Sequence, residues 1–147
     1  MIATFPSHRT TVMPMLARGR RKRPLILLVE DDHMMAEMYS FQLERDGYQV
    51  ETVTDGKQGL DAIRRRRPDL VLLDLRLPVM EGFEVLESLA TDPTRPPILI
   101  LSNYGDSRMV SRGLQLGARD YLIKSATTPI TLSEKVRSIV PPGAPNL

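Results

Sequence analysis

Leu70-Val71-Leu72-Leu73-Asp74-Leu75-Arg76-Leu77-Pro78 (70–78) is a continuous apolar run that stops on an acid and then enters a loop closed by proline. A short unbroken apolar run of this kind marks a strand covered on both faces, as in a parallel sheet, and leaves Asp74 at its C-terminal end. Two further runs have the same form, Leu25–Val29 and Ile98–Leu101, while Tyr48–Val53 and Tyr121–Ile123 are weaker strand candidates. Amphipathic stretches lie between them: Met35, Met38, Tyr39 and Leu43 fall on one helical face, as do Leu132, Val136, Ile139 and Val140. Gly47 and Gly117 follow helices, Pro68 stops one, and Thr128-Pro129 has the form of an N-cap followed by a first-turn proline. The sum is five strands alternating with five helices between Leu25 and Val140, the pattern of βα units on a parallel sheet.

Length and composition narrow the function classes. At 147 residues, with 41% hydrophobic and 26% charged residues, the chain has room for one ordinary domain, so a stand-alone module is expected. The absence of cysteine excludes disulfides, thiolate metal sites and a cysteine nucleophile. No apolar run approaches the roughly 20 residues that span a bilayer, and the N-terminus lacks the apolar core of a secretory signal, so the expectation is a cytoplasmic protein without membrane contact. The net charge of +2 hides an asymmetry. Residues 1–23 hold six basic residues (Arg9, Arg18, Arg20, Arg21, Lys22, Arg23) and no acid, which leaves 14 basic against 18 acidic residues, a net −4, in the remainder. The expected organisation is a basic, disordered arm over 1–23, a mildly acidic domain over 24–140, and a disordered tail over 141–147 (Pro-Pro-Gly-Ala-Pro-Asn-Leu) that cannot continue a helix. Any nucleic-acid binding would run through the arm. The Arg64–Arg67 run is expected to be a solvated helix end, where cations suit the helix dipole.

The polar residues at the strand ends carry the chemistry. Open α/β sheets bind ligands at the C-terminal strand edge, where strand order reverses. Glu30-Asp31-Asp32 follows the first strand, Asp74 the third, Ser102 the fourth and Lys124 the fifth. If the first and third strands are neighbours, their carboxylates converge; such a repelling cluster suits a hard cation with oxygen ligands such as Mg²⁺. A cation, a hydroxyl donor and a lysine around one carboxylate are the parts needed to stabilise a phosphoryl group passing to Asp74. Met34, Met35 and Met38 are expected to fill the core, and His33 to sit exposed at the start of the first helix; neither it nor His8 suits a phosphodonor.

Over Leu25 to Val140 the chain resembles a bacterial response-regulator receiver domain. The resembling stretches are Ile-Leu-Leu-Val-Glu-Asp-Asp (26–32), Leu-Val-Leu-Leu-Asp-Leu-Arg-Leu-Pro-Val-Met-Glu-Gly (70–82), Ile-Leu-Ile-Leu-Ser (98–102) and Gly-Ala-Arg-Asp-Tyr-Leu-Ile-Lys (117–124). The resemblance implies a flavodoxin-like, doubly wound five-stranded parallel sheet, order 2-1-3-4-5, with helices on both faces. It implies Asp74 as phosphoacceptor, with Mg²⁺ (or Mn²⁺) held by Glu30, Asp31, Asp74 and the main-chain carbonyl of Arg76. Asp31 would be the direct ligand of the acidic pair and Asp32 a bystander opening the first helix. Lys124 would be the phosphate-facing lysine, Ser102 and Tyr121 the switch pair, and Arg76 and Tyr104 the residues that tune the lifetime of the phosphoryl group. The implied partners are a sensor histidine kinase or histidine phosphotransfer protein and a downstream protein; the domain signals, assisting its own phosphorylation and dephosphorylation, and is no turnover enzyme. One departure stands out. The family's lysine is usually followed by proline through a cis bond, and here Ser125 follows Lys124; a cis bond before serine would cost about 2.5–4 kcal/mol.

Two rivals fare worse on the residues. A Mg²⁺-dependent phosphatase of the haloacid dehalogenase type needs an acid two residues after its nucleophile, where this chain has Arg76, which cannot shuttle protons at neutral pH. A doubly wound nucleotide-binding module needs glycines after its first strand, where Glu30-Asp31-Asp32 would repel phosphate.

Overall fold

The computed structural model describes residues 23–144. In chain order the elements are β1 (Leu25–Val29), α1 (His33–Arg45), β2 (Gln49–Val53), α2 (Gly56–Arg66), β3 (Leu70–Leu73), α3 (Gly82–Ser88), β4 (Ile98–Ser102), α4 (Ser107–Gln115), β5 (Asp120–Ile123), a 3-10 turn (Lys124–Ala126) and α5 (Pro129–Ile139). The strands form one parallel sheet in the order β2-β1-β3-β4-β5, so β1 and β3 are neighbours and the strand order reverses between them.

Both faces of the sheet are covered, which is why its inner strands are apolar throughout. Leu27, Val29, Val71, Leu73, Ile98 and Ile100 pack with Leu60, Ile63, Val85 and Leu86 of α2 and α3. Their alternates Ile26, Leu28, Leu70, Leu72, Leu99 and Leu101 pack with Tyr39 and Leu43 of α1 and Leu132 and Val136 of α5. Each such side chain contributes about 1.5–3 kcal/mol by leaving water, enough in aggregate to fix the strand edge on which the polar residues stand. Among the described residues no helix is long and apolar enough to cross a membrane.

Local signals set the helix ends. Asp32, Asp55, Asp106 and Thr128 cap α1, α2, α4 and α5 by accepting from main-chain N–H groups one turn on, and Pro129 opens α5. Gly47 closes α1 at φ +108°, where a Cβ would also lie 2.6 Å from the Gly143 carbonyl. Past α2, Arg67 turns left-handed ahead of Pro68, and Arg65 and Arg66 reach Glu51 of β2 at 3.7 and 3.0 Å.

Three details differ from the sequence expectations. Met34 and Met38 are not core filling: they are 77% and 48% exposed, and only Met35 packs inward, because the buried stripe of α1 is Ala36, Tyr39 and Leu43. Tyr48 precedes β2 and is fully buried, its hydroxyl donating to the Val140 carbonyl at 2.6 Å. Residues 141–144, expected as part of a disordered tail, are placed against the α1–β2 turn, with the Gly143 N–H donating to the Gly47 carbonyl at 3.0 Å; residues 145–147 lie outside the described residues. The basic arm also lies outside them apart from Arg23, whose guanidinium donates to the Glu44 carbonyl.

Asp46, just past α1, ties the two helices of one face together: its carboxylate accepts from Gln42 Nε2 at 3.0 Å and from the buried Ser133 hydroxyl of α5. Burial would raise the Asp46 carboxyl, but these two hydrogen bonds and the charges of Arg137 and Arg45 together hold the group below its ordinary value. A depressed carboxyl stabilises the fold above its unfolded pKa and loses that contribution as pH falls through the folded one. Asp46→Ala, which also strands the Ser133 hydroxyl, is expected to cost about 1–3 kcal/mol in urea unfolding at neutral pH. The gap from wild type should narrow as the medium is acidified below the usual carboxylate range.

Candidate functional site

The C-terminal edge of the sheet gathers the residues that the sequence singles out. The Asp74 N–H donates to the Val29 carbonyl at 3.1 Å and the Glu30 N–H to the Val53 carbonyl at 3.0 Å, so both acids leave the sheet from regular ladder positions. Because β1 and β3 are adjacent, Glu30, Asp31 and Asp74 converge: one carboxylate oxygen from each lies within 4.8 Å of the others. Glu30 is 1% exposed and Asp74 7%, whereas Asp31 is exposed.

Lys124 enters from the end of β5 and bridges two of these acids, its Nζ donating to Glu30 Oε1 at 2.6 Å and to Asp74 Oδ2 at 2.9 Å. The remaining oxygens are also engaged: Asp74 Oδ1 accepts from the Leu75 N–H at 2.7 Å and Glu30 Oε2 from the Asp32 N–H at 3.2 Å. Asp32 caps α1, its Oδ1 accepting from the N–H groups of Met34 and Met35. His33 is the exposed first residue of α1.

The electrostatics follow from burial. Desolvation raises the Glu30 carboxyl above its ordinary value, against the opposing hydrogen bonds from Lys124 and the Asp32 N–H. Burial alone would lower the Lys124 ammonium, but its hydrogen bonds to Glu30 and Asp74 and their negative charge together raise it, so it is charged at neutral pH. Three carboxyl groups and one ammonium meet at the sheet edge. A donor set of carboxylate oxygens alone suits a hard cation of the Mg²⁺ or Mn²⁺ kind.

Ser102 and Tyr121 are brought together on the other flank. Ser102, fully buried at the end of β4, accepts from the Tyr104 N–H at 3.1 Å, and the Tyr121 hydroxyl donates to the Tyr104 carbonyl. Burial pushes the Tyr121 phenol up, with the Ser102 hydroxyl opposing it. Tyr121 is 8% exposed, so its ring is packed inward. Arg76 and Tyr104, each two residues past Asp74 and Ser102, stack on one another, with the guanidinium carbon 4.5 Å from the ring centroid.

The Lys124–Ser125 peptide is trans, since no described residue follows a cis bond, and the chain turns there through the 3-10 segment instead. Three supporting residues carry no assigned role in the sequence reading. Gly82 allows α3 to start against the acceptor: a Cβ there would lie 2.3 Å from the Asp74 carbonyl. Its only sequence signal is its place in the 70–82 stretch. Tyr39 and Thr127 support the Lys124 turn and have no sequence signal beyond the apolar spacing of Tyr39.

Comparison with known proteins agrees with this geometry. Residues 26–137 match the family model described as the response regulator receiver domain. The DNA-binding response regulator MtrA of Mycolicibacterium paratuberculosis is 44% identical over 102 residues, which are 69% of this chain and 45% of that protein. The transcriptional regulatory protein AfsQ1 of Streptomyces coelicolor is 36% identical over 118 residues, 80% of this chain and 51% of that protein. The chain thus spans about half the length of the curated relatives it matches. Among solved structures, the chemotaxis protein CheY4 of Vibrio cholerae superposes with a TM-score of 0.73 at 29% identity, covering 80% of this chain and 98% of that one. The receiver domain of the Francisella response regulator 1452 gives 0.74 at 27% identity, covering 79% and 95%.

Proposed function

Because this chain belongs to the response-regulator receiver family, we propose that Asp74 accepts a phosphoryl group from a phosphohistidine donor and that the aspartyl phosphate switches partner binding in two-component signalling or a phosphorelay. The observation that carries this reading is the Lys124 ammonium within hydrogen-bond distance of both Asp74 and Glu30, in the same cluster as Asp31.

In the transfer, a carboxylate oxygen of Asp74 forms a bond to phosphorus as the P–N bond breaks, and the electron pair leaves with the donor imidazole. Glu30, Asp31, Asp74 and the Arg76 carbonyl would hold a divalent cation, which would supply charge neutralisation for the phosphoryl oxygens. Lys124 follows the charge from carboxylate to phosphoryl oxygen and so favours the transition state over the free acid. Ser102 donates a hydrogen bond to the same group, and the stacked Arg76 and Tyr104 border the path of a water that would hydrolyse it, so this pair sets the lifetime of the phosphoryl group. The donor is a sensor histidine kinase or phosphotransfer protein in the cytoplasm. The groove of about 660 Å³ between α1 and the start of α5, lined by Met38, Phe41 and Pro129 together with Glu37, Ser40, Gln42 and Glu44, is the surface it would use. Any nucleic-acid contact runs through the basic arm.

Phosphotransfer from a panel of purified phosphorylated histidine kinases tests the reading. Label should pass from at least one kinase to the wild-type chain and not to Asp74→Asn; a wild-type chain that takes label from no kinase and from no small phosphodonor would overturn it.

Readout runs through Ser102 and Tyr121 to the face made by α4, β5 and α5. The phosphoryl group would draw the Ser102 hydroxyl towards it, and it can shift the balance between inward and outward Tyr121 only by its differential interaction with the two states. Ser102→Ala is expected still to accept phosphate but to respond weakly there. An NMR shift map with beryllofluoride, following amides from Asp106 to Val140, should show much smaller changes in the variant than in wild type; equal changes would remove Ser102 from the switch.

A further inference from the structure

The chemistry assigned to Lys124 requires its ammonium to be held within tenths of an ångström, yet it stands on a turn that lacks the proline expected after it. What replaces that constraint is visible in three hydrogen bonds. The Thr127 hydroxyl donates to the Ile123 carbonyl at 2.7 Å, and the Thr127 N–H donates to the Lys124 carbonyl at 3.1 Å. Both peptide groups flanking Lys124 are thus clamped by one residue. Thr127 is held in turn: its own carbonyl accepts from the Tyr39 hydroxyl at 3.2 Å. Tyr39 has no room to move, because it is 1% exposed in the core between α1 and the sheet.

We propose that Tyr39 and Thr127 are positioning residues for Lys124: a relay of hydrogen bonds from the core of α1 through the Thr127 main chain and hydroxyl fixes the 3-10 turn so that the ammonium reaches Asp74 and Glu30 together. The inference rests on the phosphoacceptor reading of Asp74 and deepens it by naming what aligns its lysine. The same placement shows in the electrostatics of Tyr39, whose phenol is raised by burial and feels both Lys124 and Glu30. Neither residue touches the reacting atoms. Their role is to make the lysine geometry independent of a ring-locked peptide, and the core packing of Tyr39 ties that geometry to the helix that starts beside the acidic pair.

A purely structural role, capping a turn and satisfying a buried phenol, would lower the melting temperature without changing the rate in protein that is still folded. The test therefore compares full-length wild type, Thr127→Val, Thr127→Ser and Tyr39→Phe well below their melting temperatures. It measures the rate of Asp74 phosphorylation by acetyl phosphate at saturating Mg²⁺, and separately the Mg²⁺ affinity. Misplacing a catalytic group by a fraction of an ångström costs about tenfold, so Thr127→Val is expected to lose about that much, and Tyr39→Phe about threefold. Thr127→Ser, which keeps the hydroxyl, should return to within about twofold of wild type, and Mg²⁺ affinity should hold within about twofold throughout. Equal rates in all four folded proteins would overturn the inference, as would a Thr127→Ser loss as large as that of Thr127→Val, or a rate loss matched by weaker Mg²⁺ binding. If Thr127→Val does not fold, Tyr39→Phe, which removes one oxygen, decides alone. Wild-type protein that takes no label would overturn the reading of Asp74, and this inference with it.

Discussion

Lys124→Ala is expected to slow phosphorylation of Asp74 by about 100- to 1000-fold at saturating Mg²⁺, the loss usual when a preorganised donor to a developing anion is removed. The ammonium sits 2.9 Å from Asp74 Oδ2 and 2.6 Å from Glu30 Oε1, with its side chain only 7% exposed, so water cannot readily take its place. Removing it leaves two buried carboxylates facing each other, and the incoming phosphoryl group adds further negative charge to that cluster. Two effects then act in the same direction: the ground state repels the donor, and the transition state loses the cation that would follow its charge. Initial rates of labelling by acetyl phosphate check this directly, and a loss below about threefold would show that Lys124 serves the fold and not the transfer.

Removal of the divalent cation is expected to have the larger effect. With EDTA present, a phosphodonor would meet the carboxylates of Glu30, Asp31 and Asp74 against a single ammonium, and labelling should fall to background. Asp31→Ala isolates the metal from the rest of the site, because Asp31 is the exposed member of the cluster and its loss disturbs the core least. Loss of an outer-shell partner typically costs about 10- to 100-fold in metal affinity, so loss of a direct ligand should raise the Mg²⁺ concentration for half-maximal labelling by at least that factor. Excess Mg²⁺ should restore part of the Asp31→Ala rate and none of the Lys124→Ala rate, which separates the two contributions. An Asp31→Ala protein with an unchanged Mg²⁺ requirement would place the cation elsewhere.

How far these residues could be foreseen depends on the kind of physics that places them. Leu70–Leu73 and Leu25–Val29 are buried on both faces, and a doubly covered strand leaves an unbroken apolar run that can be read directly. Once β1 and β3 are neighbours, the convergence of Glu30, Asp31 and Asp74 follows from chain geometry alone. Met34 and Met38 were less legible, because hydrophobicity does not tell which of two adjacent helical stripes faces the sheet, and Tyr39 wins that contest by filling the core. The inward ring of Tyr121 is a rotamer fixed by a hydrogen bond to the Tyr104 main chain, and no residue pattern encodes it. The support of Lys124 by Tyr39 and Thr127 joins positions 88 residues apart through one hydroxyl and one carbonyl, a contact with no periodicity to betray it. The stack of Arg76 on Tyr104 joins two loops in the same way. Sequence therefore exposes what burial and strand order dictate, and it hides single directional contacts between distant loops.

The central claim is that Asp74 is the residue that carries the phosphoryl group. It is tested most directly by incubating the protein with acetyl phosphate and Mg²⁺ and mapping the adduct by mass spectrometry. The account predicts one phosphoryl group per chain, on Asp74, absent from Asp74→Asn and from samples treated with EDTA; label that survives in Asp74→Asn, or that maps to another residue in wild type, would contradict it.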